Sequence, residues 1–519
     1  MFKSLPKYPI GIQDFATIRE NGYIYVDKTK IIYELINTAS YVFLSRPRRF
    51  GKSLLLSTIA YYFEGRKDLF EGLDLAELES NWVKHPVFLL SFARYERENV
   101  NSLEFILEQQ LSSWEKIYNI GRCDLDFSNR FVNIIQKSVE STGQKAVILI
   151  DEYDNPLITT RNNPELHSKN KAVLKSIFTI LKDLGAYLSF GMLTGITRFG
   201  KMSVFSSINN LYDITLDKQF SSICGITQDE LLQNFKIGIS ELAEENEKTI
   251  EEINSELKKY YDGYHFSIKS PDIYNPYSLL NAFSKKNIED YWFSTGTPNF
   301  LVDQLKETDT NLKDFLNQKV VSTTISASDS AYNSLVALLF QSGYLTIKDY
   351  ESKRKLLQLG IPNEEVKEGL NRLFLKDFLY PDKELGNSRI NKILDSIEKG
   401  NPELFMENLQ AFFAGVPFDL SKGNKEVFFH NSFYILCNLI GLFVKAEYHT
   451  SAGSIDILIE TNQYVYVIEL KLDKSAEEAI NQINSKDYDL QWRKDERKTF
   501  KIGISFSSIT RNISEWIIQ

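Results

Sequence analysis

The sequence predicts an α/β protein in three parts: an N-terminal, mainly parallel sheet with flanking helices, a mostly helical middle region, and a smaller C-terminal α/β domain. In the N-terminal half, short apolar runs alternate with helical patterns, at residues 41–44, 87–92, 146–150 and 188–193. Such runs are typical of parallel strands that are covered on both faces. Helical periodicity dominates from about residue 228, and strand patterns return after about residue 425.

Composition agrees with a soluble globular protein of several domains. The chain has 519 residues, of which 43% are hydrophobic and 25% are charged. Its net charge of −9 excludes a polycation that coats nucleic acid with its whole surface, although it leaves a local basic groove open. Three scattered cysteines without a CxxC pattern exclude a zinc ribbon or redox motif and are typical of the reducing cytoplasm. We find no signal peptide and no membrane-length apolar segment, and we therefore expect a cytoplasmic protein without membrane association.

Pattern changes along the chain predict the domain boundaries, at 1–227, 228–420 and 421–519. Thr227 and Glu230 form a capping-box pattern, which predicts that a helix begins there. Within the middle region, two strand-like runs at 344–347 and 356–359 lie between helical patterns at about 330–341 and 364–375. This order suits a small winged-helix-like unit.

The segment 45–53, with the sequence SRPRRFGKS, lies between a predicted strand and a predicted helix. Gly51, Lys52 and Ser53 match the second half of the phosphate-loop pattern GxxxxGK[ST], but Arg46 occupies the position of its first glycine. Backbone N–H groups at a helix N-terminus can hold phosphate oxygens, Lys52 would reach the terminal phosphates, and Ser53 would ligate Mg²⁺. The alternative is an ordinary basic turn before a helix.

A second apolar run, 146–150, ends in Asp151 and Glu152. Ligands of α/β folds bind at the carboxyl ends of strands, so Asp151 would complete the Mg²⁺ shell and Glu152 would polarise the attacking water. Together the two segments predict an ATP and Mg²⁺ site of the P-loop NTPase type, rather than a solvated acidic strand end. The run after 188–193 could also present Thr197 or Arg198 to a γ-phosphate, although a surface Thr-Arg pair explains them almost as well.

Near the C-terminus, two strand-like runs flank Asn462 and Gln463. A hairpin centred there places Asp456 opposite Glu469, and the two-residue period of a strand places Glu469 and Lys471 on the same face. A divalent cation relieves the repulsion between two carboxylates, and oxygen ligands suit Mg²⁺ or Mn²⁺. The arrangement D-x₁₂-E-x-K is the signature of the PD-(D/E)XK nuclease superfamily, with a restriction-endonuclease-like fold. The alternative is a salt-bridged hairpin without chemistry.

Residues on either side of the hairpin extend this prediction. Glu426 opens the preceding helical pattern, where such nucleases often carry another metal-site acid. Gln482, Lys486 and Tyr488 lie on or just after the following helix, where such a set often contacts DNA; a solvated helix face is the alternative. The window 491–501 holds five basic and two acidic residues, which would form either a phosphate-contacting patch or a solvated charged loop.

As a whole, the sequence resembles the bacterial family that joins an N-terminal AAA-ATPase-like domain to a C-terminal PD-(D/E)XK nuclease-like domain. The matching segments run in order along nearly the entire chain: Tyr25–Thr29, Ser45–Ser53, Ile150–Asp154, Phe205–Asn210, Tyr261–Tyr264, Tyr274–Pro276, Gly343–Ile347, Ile361–Val366 and the hairpin with Glu469–Lys471. In that family the RPRRFGKS loop is usual, so Arg46 is a family feature.

The resemblance implies roles for individual residues. Lys52 and Ser53 would bind nucleotide and Asp151 and Glu152 would be the Walker B pair, while the nuclease-like triad would be Asp456, Glu469 and Lys471. One departure concerns Ser454. Many members have the pattern Gly-Arg-x-Asp before the hairpin, and Ser454 occupies the position of that arginine. That arginine would contact phosphate, and its loss leaves the metal ligands unchanged.

Three functions are compatible with these patterns. The first is an ATPase fused to a metal-dependent nuclease that cuts DNA under ATP control, with nucleic acid as partner and a homo-oligomeric ring as one option. The second is an ATP-switched scaffold or regulator whose C-terminal domain binds nucleic acid or a protein without cutting. The third is a transcription-regulator-like ATPase that uses the unit around 330–375 to hold DNA.

Overall fold

A computed structural model describes residues 6–95, 102–121, 125–198, 211–293, 316–325, 335–374, 383–415, 432, 436, 444–450 and 453–519. The chain divides into two compact units. The first comprises residues 1–296 and 318–365, and the second comprises 297–317 and 366–519. The predicted domain boundaries at 227/228 and 420/421 stay predictions.

The first unit is built on a five-stranded sheet in which every pair of neighbouring strands is parallel, as predicted. Its strands are β1 (Tyr41–Ser45), β2 (Val87–Ser91), β3 (Ala146–Asp151), β4 (Leu188–Gly195) and β5 (Tyr212–Asp213). The order across the sheet is β2-β3-β4-β1-β5. Strand β4 therefore lies between β1, which leads into the phosphate-loop pattern, and β3, which ends in the acidic pair. All these strands place their carboxyl ends at one edge.

Helices cover both faces of this sheet. They are Phe15–Glu20, Thr29–Thr38, Lys52–Phe63, Asp74–Leu78, Leu103–Ile117, Phe127–Thr142, Asn155–Thr160 and Pro164–Asp183. Aromatic side chains fill one layer between sheet and helices: Phe88 of β2 packs edge-on against Trp114, which stacks on Phe131. Burial of these rings contributes to the stability of this layer.

The remainder of the first unit is mostly helical, as predicted. Its helices are Gln228–Asn234, Lys236–Glu245, Ile250–Tyr261, Pro276–Lys285, Ser322–Ile325 and Leu335–Ser342. The capping box of Thr227 and Glu230 is present. The predicted hairpin forms from β7 (Thr346–Glu351) and β8 (Leu356–Gly360), and β6 (Lys319–Val321) pairs with β8 as a third strand. Helices Leu335–Ser342 and Glu364–Phe374 precede and follow the hairpin, in the winged-helix-like order.

The second unit carries a mixed five-stranded sheet of order β13-β12-β11-β10-β9. Its strands are β9 (Val444–Thr450), β10 (Gly453–Glu460), β11 (Tyr464–Leu472), β12 (Lys498–Ser507) and β13 (Asn512–Ile518), and its further helices are Lys383–Glu398, Pro402–Ala414 and Ala476–Ser485. Strands β11 and β12 are parallel and the other pairs are antiparallel. This α/β fold confirms the predicted class, although sequence patterns missed β9 and β13. Most of the helical pattern that Glu426 opens lies outside the described residues.

Candidate functional site

The loop between β1 and helix Lys52–Phe63 ends in a glycine with a left-handed backbone conformation. Gly51, directly before the helix, has φ +94°, a conformation that favours glycine. Lys52 begins the helix and is 6% exposed. Its ammonium group donates to the carbonyl oxygens of Arg46 and Pro47, both at 2.9 Å. Two of its three protons therefore fix the curve of the loop, and one proton is left for a phosphate oxygen. Burial lowers the pKa of Lys52, an effect that the nearby Asp151 opposes.

The two halves of the predicted nucleotide site meet directly. Ser53 Oγ donates to Asp151 Oδ2 at 2.5 Å, although the residues are 98 positions apart. The other oxygen, Asp151 Oδ1, accepts from Thr194 Oγ1 at 2.6 Å and from the Glu152 backbone N–H at 3.1 Å. Thr194 lies on β4, the strand between β1 and β3, and sequence reasoning did not single it out. Its hydroxyl orients the carboxylate so that the second oxygen faces Ser53.

Glu152 lies beside this contact in an unusual backbone conformation, with φ +50°. Burial raises the pKa of its half-buried carboxyl, while Lys52 acts in the opposite direction. A general base benefits from a raised pKa and a fixed direction. The catalytic role of Glu152 stays a prediction, and this environment is compatible with it.

The two residues predicted to sense a γ-phosphate have partners within the protein. Both the backbone N–H and the hydroxyl of Thr197 donate to Asp154 Oδ2 at 2.6 Å. The Arg198 guanidinium pairs with Asp213, at 2.5 Å from Nη2 and 3.1 Å from Nε. Asp154 is 1% exposed and also accepts from the Ile196 N–H, so it shapes the turn after β4. Sequence analysis included Asp154 in the family-matching segment Ile150–Asp154 but assigned it no role.

Arg46 lies inside the protein and forms contacts that a glycine could not make. Its guanidinium, 1% exposed, donates to the carbonyl oxygens of Ser45 at 2.9 Å, Thr215 at 2.8 Å and Phe220 at 3.4 Å. It also lies 4.1 Å from the centre of the Phe266 ring. Burial lowers the pKa of Arg46 to about 10. Arg46 thus connects the loop to the segment after β5.

A cavity of about 100 Å³ adjoins Gly51 of the loop and Leu54 of the following helix. Its other walls are mostly apolar and come from residues 9–32 and 223–235. Lys28 is its cationic wall residue, and its ammonium donates to both oxygens of Glu230, at 2.6 and 2.7 Å, and to the Ser222 carbonyl at 2.8 Å. These three acceptors use all three protons of Lys28. The cavity therefore offers a ligand mainly apolar contact.

In the second unit, the hairpin of β10 and β11 has the predicted register, with Ile457 opposite Ile468. Asp456 Oδ2 accepts from the Leu470 N–H at 2.8 Å. Glu469 is 2% exposed, and its Oε1 accepts from Lys471 Nζ at 3.1 Å. The structure thus brings together the three residues of the predicted triad.

Gln482, on helix Ala476–Ser485, adds a fourth group, because its side-chain amide donates to Glu469 Oε1. The other oxygen, Glu469 Oε2, is buried and has no hydrogen-bond partner. Burial, and secondly the charge of Asp456, raise the pKa of Glu469 to about 7. An unpartnered buried carboxylate oxygen beside a second carboxylate suits a divalent cation. The described residues hold no cluster of three or more potential metal ligands, so a cation here would rest on Asp456 and Glu469.

The other predicted nuclease residues have different positions. Glu426 lies outside the described residues. Lys486 is exposed at the end of helix Ala476–Ser485. Tyr488 is 4% exposed, and a Cβ added at Gly453 would lie 2.7 Å from its hydroxyl oxygen. A side chain at position 453, three residues before Asp456, would therefore have to displace the Tyr488 hydroxyl.

The basic window 491–501 is largely neutralised. Arg493 pairs with Asp487 and Asp489, and Arg497 pairs with Asp495 at 2.6 Å and Glu460 at 3.2 Å. These ion pairs favour the solvated charged loop over a free phosphate-contacting patch.

Two family models match the parts of the chain that contain the two candidate sites. The family model described as "Predicted AAA-ATPase" matches residues 9–205, and that of the PD-(D/E)XK nuclease superfamily matches residues 424–516. A protein of Azotobacter chroococcum mcd 1, titled "Uncharacterized protein in vnfD 5'region", is 33% identical over 525 residues, which cover 99% of both chains. Among solved structures, the Aeropyrum pernix ORC2 protein, solved as ADPNP-ADP complexes, aligns with 64% of this chain and 87% of its own, with 11% identity and a TM-score of 0.25.

The described part of the chain contains no helix long and apolar enough to cross a bilayer. The two family models match opposite ends of the chain, and the bacterial relative matches it throughout. The chain therefore belongs to the bacterial family of AAA-ATPase-like proteins that carry a C-terminal PD-(D/E)XK nuclease superfamily domain.

Proposed function

We propose that this protein binds and hydrolyses ATP in its first unit and cuts DNA phosphodiester bonds with its second unit, under control of the nucleotide. The observation that carries the nuclease assignment is the buried, unpartnered Oε2 of Glu469 beside Asp456, with Lys471 and Gln482 on the opposite oxygen. A purely structural salt bridge would use both oxygens of a buried carboxylate. We also propose a cytoplasmic location and a homo-oligomeric state as accompanying expectations.

In the ATP site, the third proton of Lys52 would hold a terminal phosphate oxygen, and backbone N–H groups at the start of helix Lys52–Phe63 would hold the others. Ser53 and Asp151 would hold Mg²⁺, which neutralises phosphate charge when bound. Glu152 would accept the proton of the attacking water. The apolar cavity beside Gly51 would take the base.

In the nuclease site, Asp456 and Glu469 would hold Mg²⁺ or Mn²⁺, which lowers the pKa of water and stabilises charge on the phosphate when bound. Lys471 would orient the attacking water or stabilise negative charge on the phosphate. Gln482 fixes Glu469 Oε1, which keeps Oε2 directed toward the metal position.

The test is cleavage of plasmid, linear duplex, single-stranded DNA and RNA with Mg²⁺ or Mn²⁺, with and without ATP. Lys471→Ala should abolish cleavage and retain ATP binding, whereas the matched control Lys474→Ala, an exposed lysine on the same segment, should cut normally. Lys52→Ala should lose ATP binding and make cleavage independent of ATP. Cleavage that survives in Lys471→Ala would contradict the assignment.

The scaffold function is the second candidate. It is favoured by Ser454 at the position of the family's arginine and by the ion pairs that neutralise Arg493 and Arg497. A chain that binds ATP but cuts none of these substrates would support it.

A further inference from the structure

The phosphate-binding loop is held by a residue from far along the chain. The indole N–H of Trp292 donates to the Arg48 carbonyl oxygen at 3.0 Å, across 244 positions. Trp292 is 6% exposed, and its ring packs against Tyr344 with ring centres 5.3 Å apart. The Arg48 carbonyl directly follows the two carbonyls that Lys52 holds. Trp292 thus fixes the next peptide of the same turn.

Trp292 is in turn fixed by a buried carboxylate. Glu365 has no exposed surface, and its Oε1 accepts from the Trp292 backbone N–H at 2.7 Å. Both carboxylate oxygens also accept from Ser278 Oγ at 2.8 Å. Among the described residues these donors are neutral, and burial raises the pKa of Glu365 to about 7. Burying a carboxylate against neutral donors is costly, which indicates that this position does more than fill space.

A second contact reaches the loop from the same side. Gly343 has φ +89°, and a Cβ added there would lie 2.8 Å from the side chain of Pro47. Tyr344, the next residue, packs on Trp292. Pro47 and Arg48 are therefore contacted by residues that follow the last strand of the sheet by 79 positions (Trp292) and 130 positions (Gly343).

We propose that Glu365 and Trp292 are positioning residues of the nucleotide site. Through the Arg48 carbonyl they orient the peptides of the turn, and hence the N–H groups that would face phosphate oxygens. This inference rests on the proposed ATP-binding function. The Glu365 carboxylate and the Trp292 indole lie outside the phosphate-loop and Walker B segments. We expect them to contribute to nucleotide affinity as well as to folding.

The test compares two tryptophans that differ in their N–H contact. Trp292→Phe removes the donor to Arg48, whereas Trp82→Phe removes a buried indole N–H that has no partner in the structure. We expect Trp292→Phe to weaken Mg-ATP affinity about tenfold, the value of one well-formed hydrogen bond. Trp82→Phe should leave the affinity unchanged even if both variants lower the melting temperature.

Two further variants separate positioning from packing. Glu365→Ala should reproduce the loss of affinity, and Glu365→Gln should restore most of it, because a glutamine oxygen can still accept from Trp292. Calorimetric titration with Mg-ATP measures all four variants. Equal affinity of Trp292→Phe and the wild-type chain would overturn the inference while leaving ATP binding in place. A wild-type chain that binds no nucleotide would overturn the proposed function, and the inference with it.

Discussion

Replacing Arg46 by glycine would restore the first glycine of the phosphate-loop pattern, and we expect it to harm the protein. The substitution removes the donors to the Ser45 and Thr215 carbonyls, at 2.9 and 2.8 Å. A buried polar group left without a partner costs about 2 kcal/mol, so these two carbonyls cost about 4 kcal/mol. Loss of the contact with the Phe266 ring at 4.1 Å adds about 2 kcal/mol for a desolvated cation–π pair.

Part of this loss is recovered because glycine buries no charge. Burial lowers the pKa of Arg46 from 12.5 to about 10, and one pKa unit corresponds to about 1.36 kcal/mol. Removing the buried charge of Arg46 therefore restores about 3 kcal/mol to the free energy of unfolding. Arg46→Gly should therefore lower the free energy of unfolding of the first unit by about 3 kcal/mol.

The matched control is Arg49→Gly in the same loop. Arg49 is exposed and has φ +65°, a conformation that glycine adopts without strain. Its contact with the Tyr277 ring contributes about 0.5–1 kcal/mol at an exposed site, so gain and loss should nearly cancel. Urea unfolding, followed by hydrogen exchange of peptides that cover β1 and helix Lys52–Phe63, measures both variants. If Arg46→Gly changes stability by less than about 1 kcal/mol, or no more than Arg49→Gly, the reasoning is wrong.

Three other substitutions test the described contacts. Burial raises the pKa of Asp262 from 3.8 to about 6, so the folded chain keeps this proton to a higher pH than the unfolded chain does. The free energy of unfolding therefore falls as the pH rises from about 4 to about 6. In urea titrations, Asp262→Asn should remove this fall and raise the free energy of unfolding by about 2–3 kcal/mol at pH 8 but not at pH 3. Gly343→Ala should cost about 1–3 kcal/mol in the same assay, from backbone strain and the clash with the loop, and more than Gly11→Ala, which meets only the strain. Lys28→Met should lower the melting temperature more than the double variant with Glu230→Gln, because the single variant leaves the partly buried Glu230 carboxylate without its cation and, among the described residues, with only the N–H of Thr227 as a partner.

Sequence patterns located β1 to β4 of the first sheet, because parallel strands buried on both faces are continuous apolar runs, but they missed the two-residue strand β5. They could not give the order of the strands, since neighbours in the sheet are distant in sequence. The position of β4 between β1 and β3 was therefore missed, and with it the bond from Thr194 to Asp151. Arg46 was recognised as usual for the family, but its bonds to the Thr215 and Phe220 carbonyls depend on tertiary contacts alone.

In the second unit, the turn at Asn462 and Gln463 correctly predicted the register of the hairpin, because each residue pair in an antiparallel hairpin follows from its centre. The helix that carries Gln482 was also predicted, but its contact with Glu469 was not, since it depends on how the helix packs across the sheet. The outer strands β9 and β13 were missed, because edge strands lack the continuous apolar signal of the central strands.

The contacts of Trp292 and Gly343 with the phosphate-binding loop limit which segments this chain can exchange with a relative. A chimera that exchanged only residues 9–205, the segment that the AAA-ATPase model matches, with a relative would separate the loop from the Gly343 surface on which Pro47 packs. At 33% identity between relatives, many such surfaces will not match. Recombination between relatives should therefore keep residues up to about 365 together. Chimeras that exchange this whole segment should fold, whereas chimeras that exchange only residues 9–205 should fail to fold.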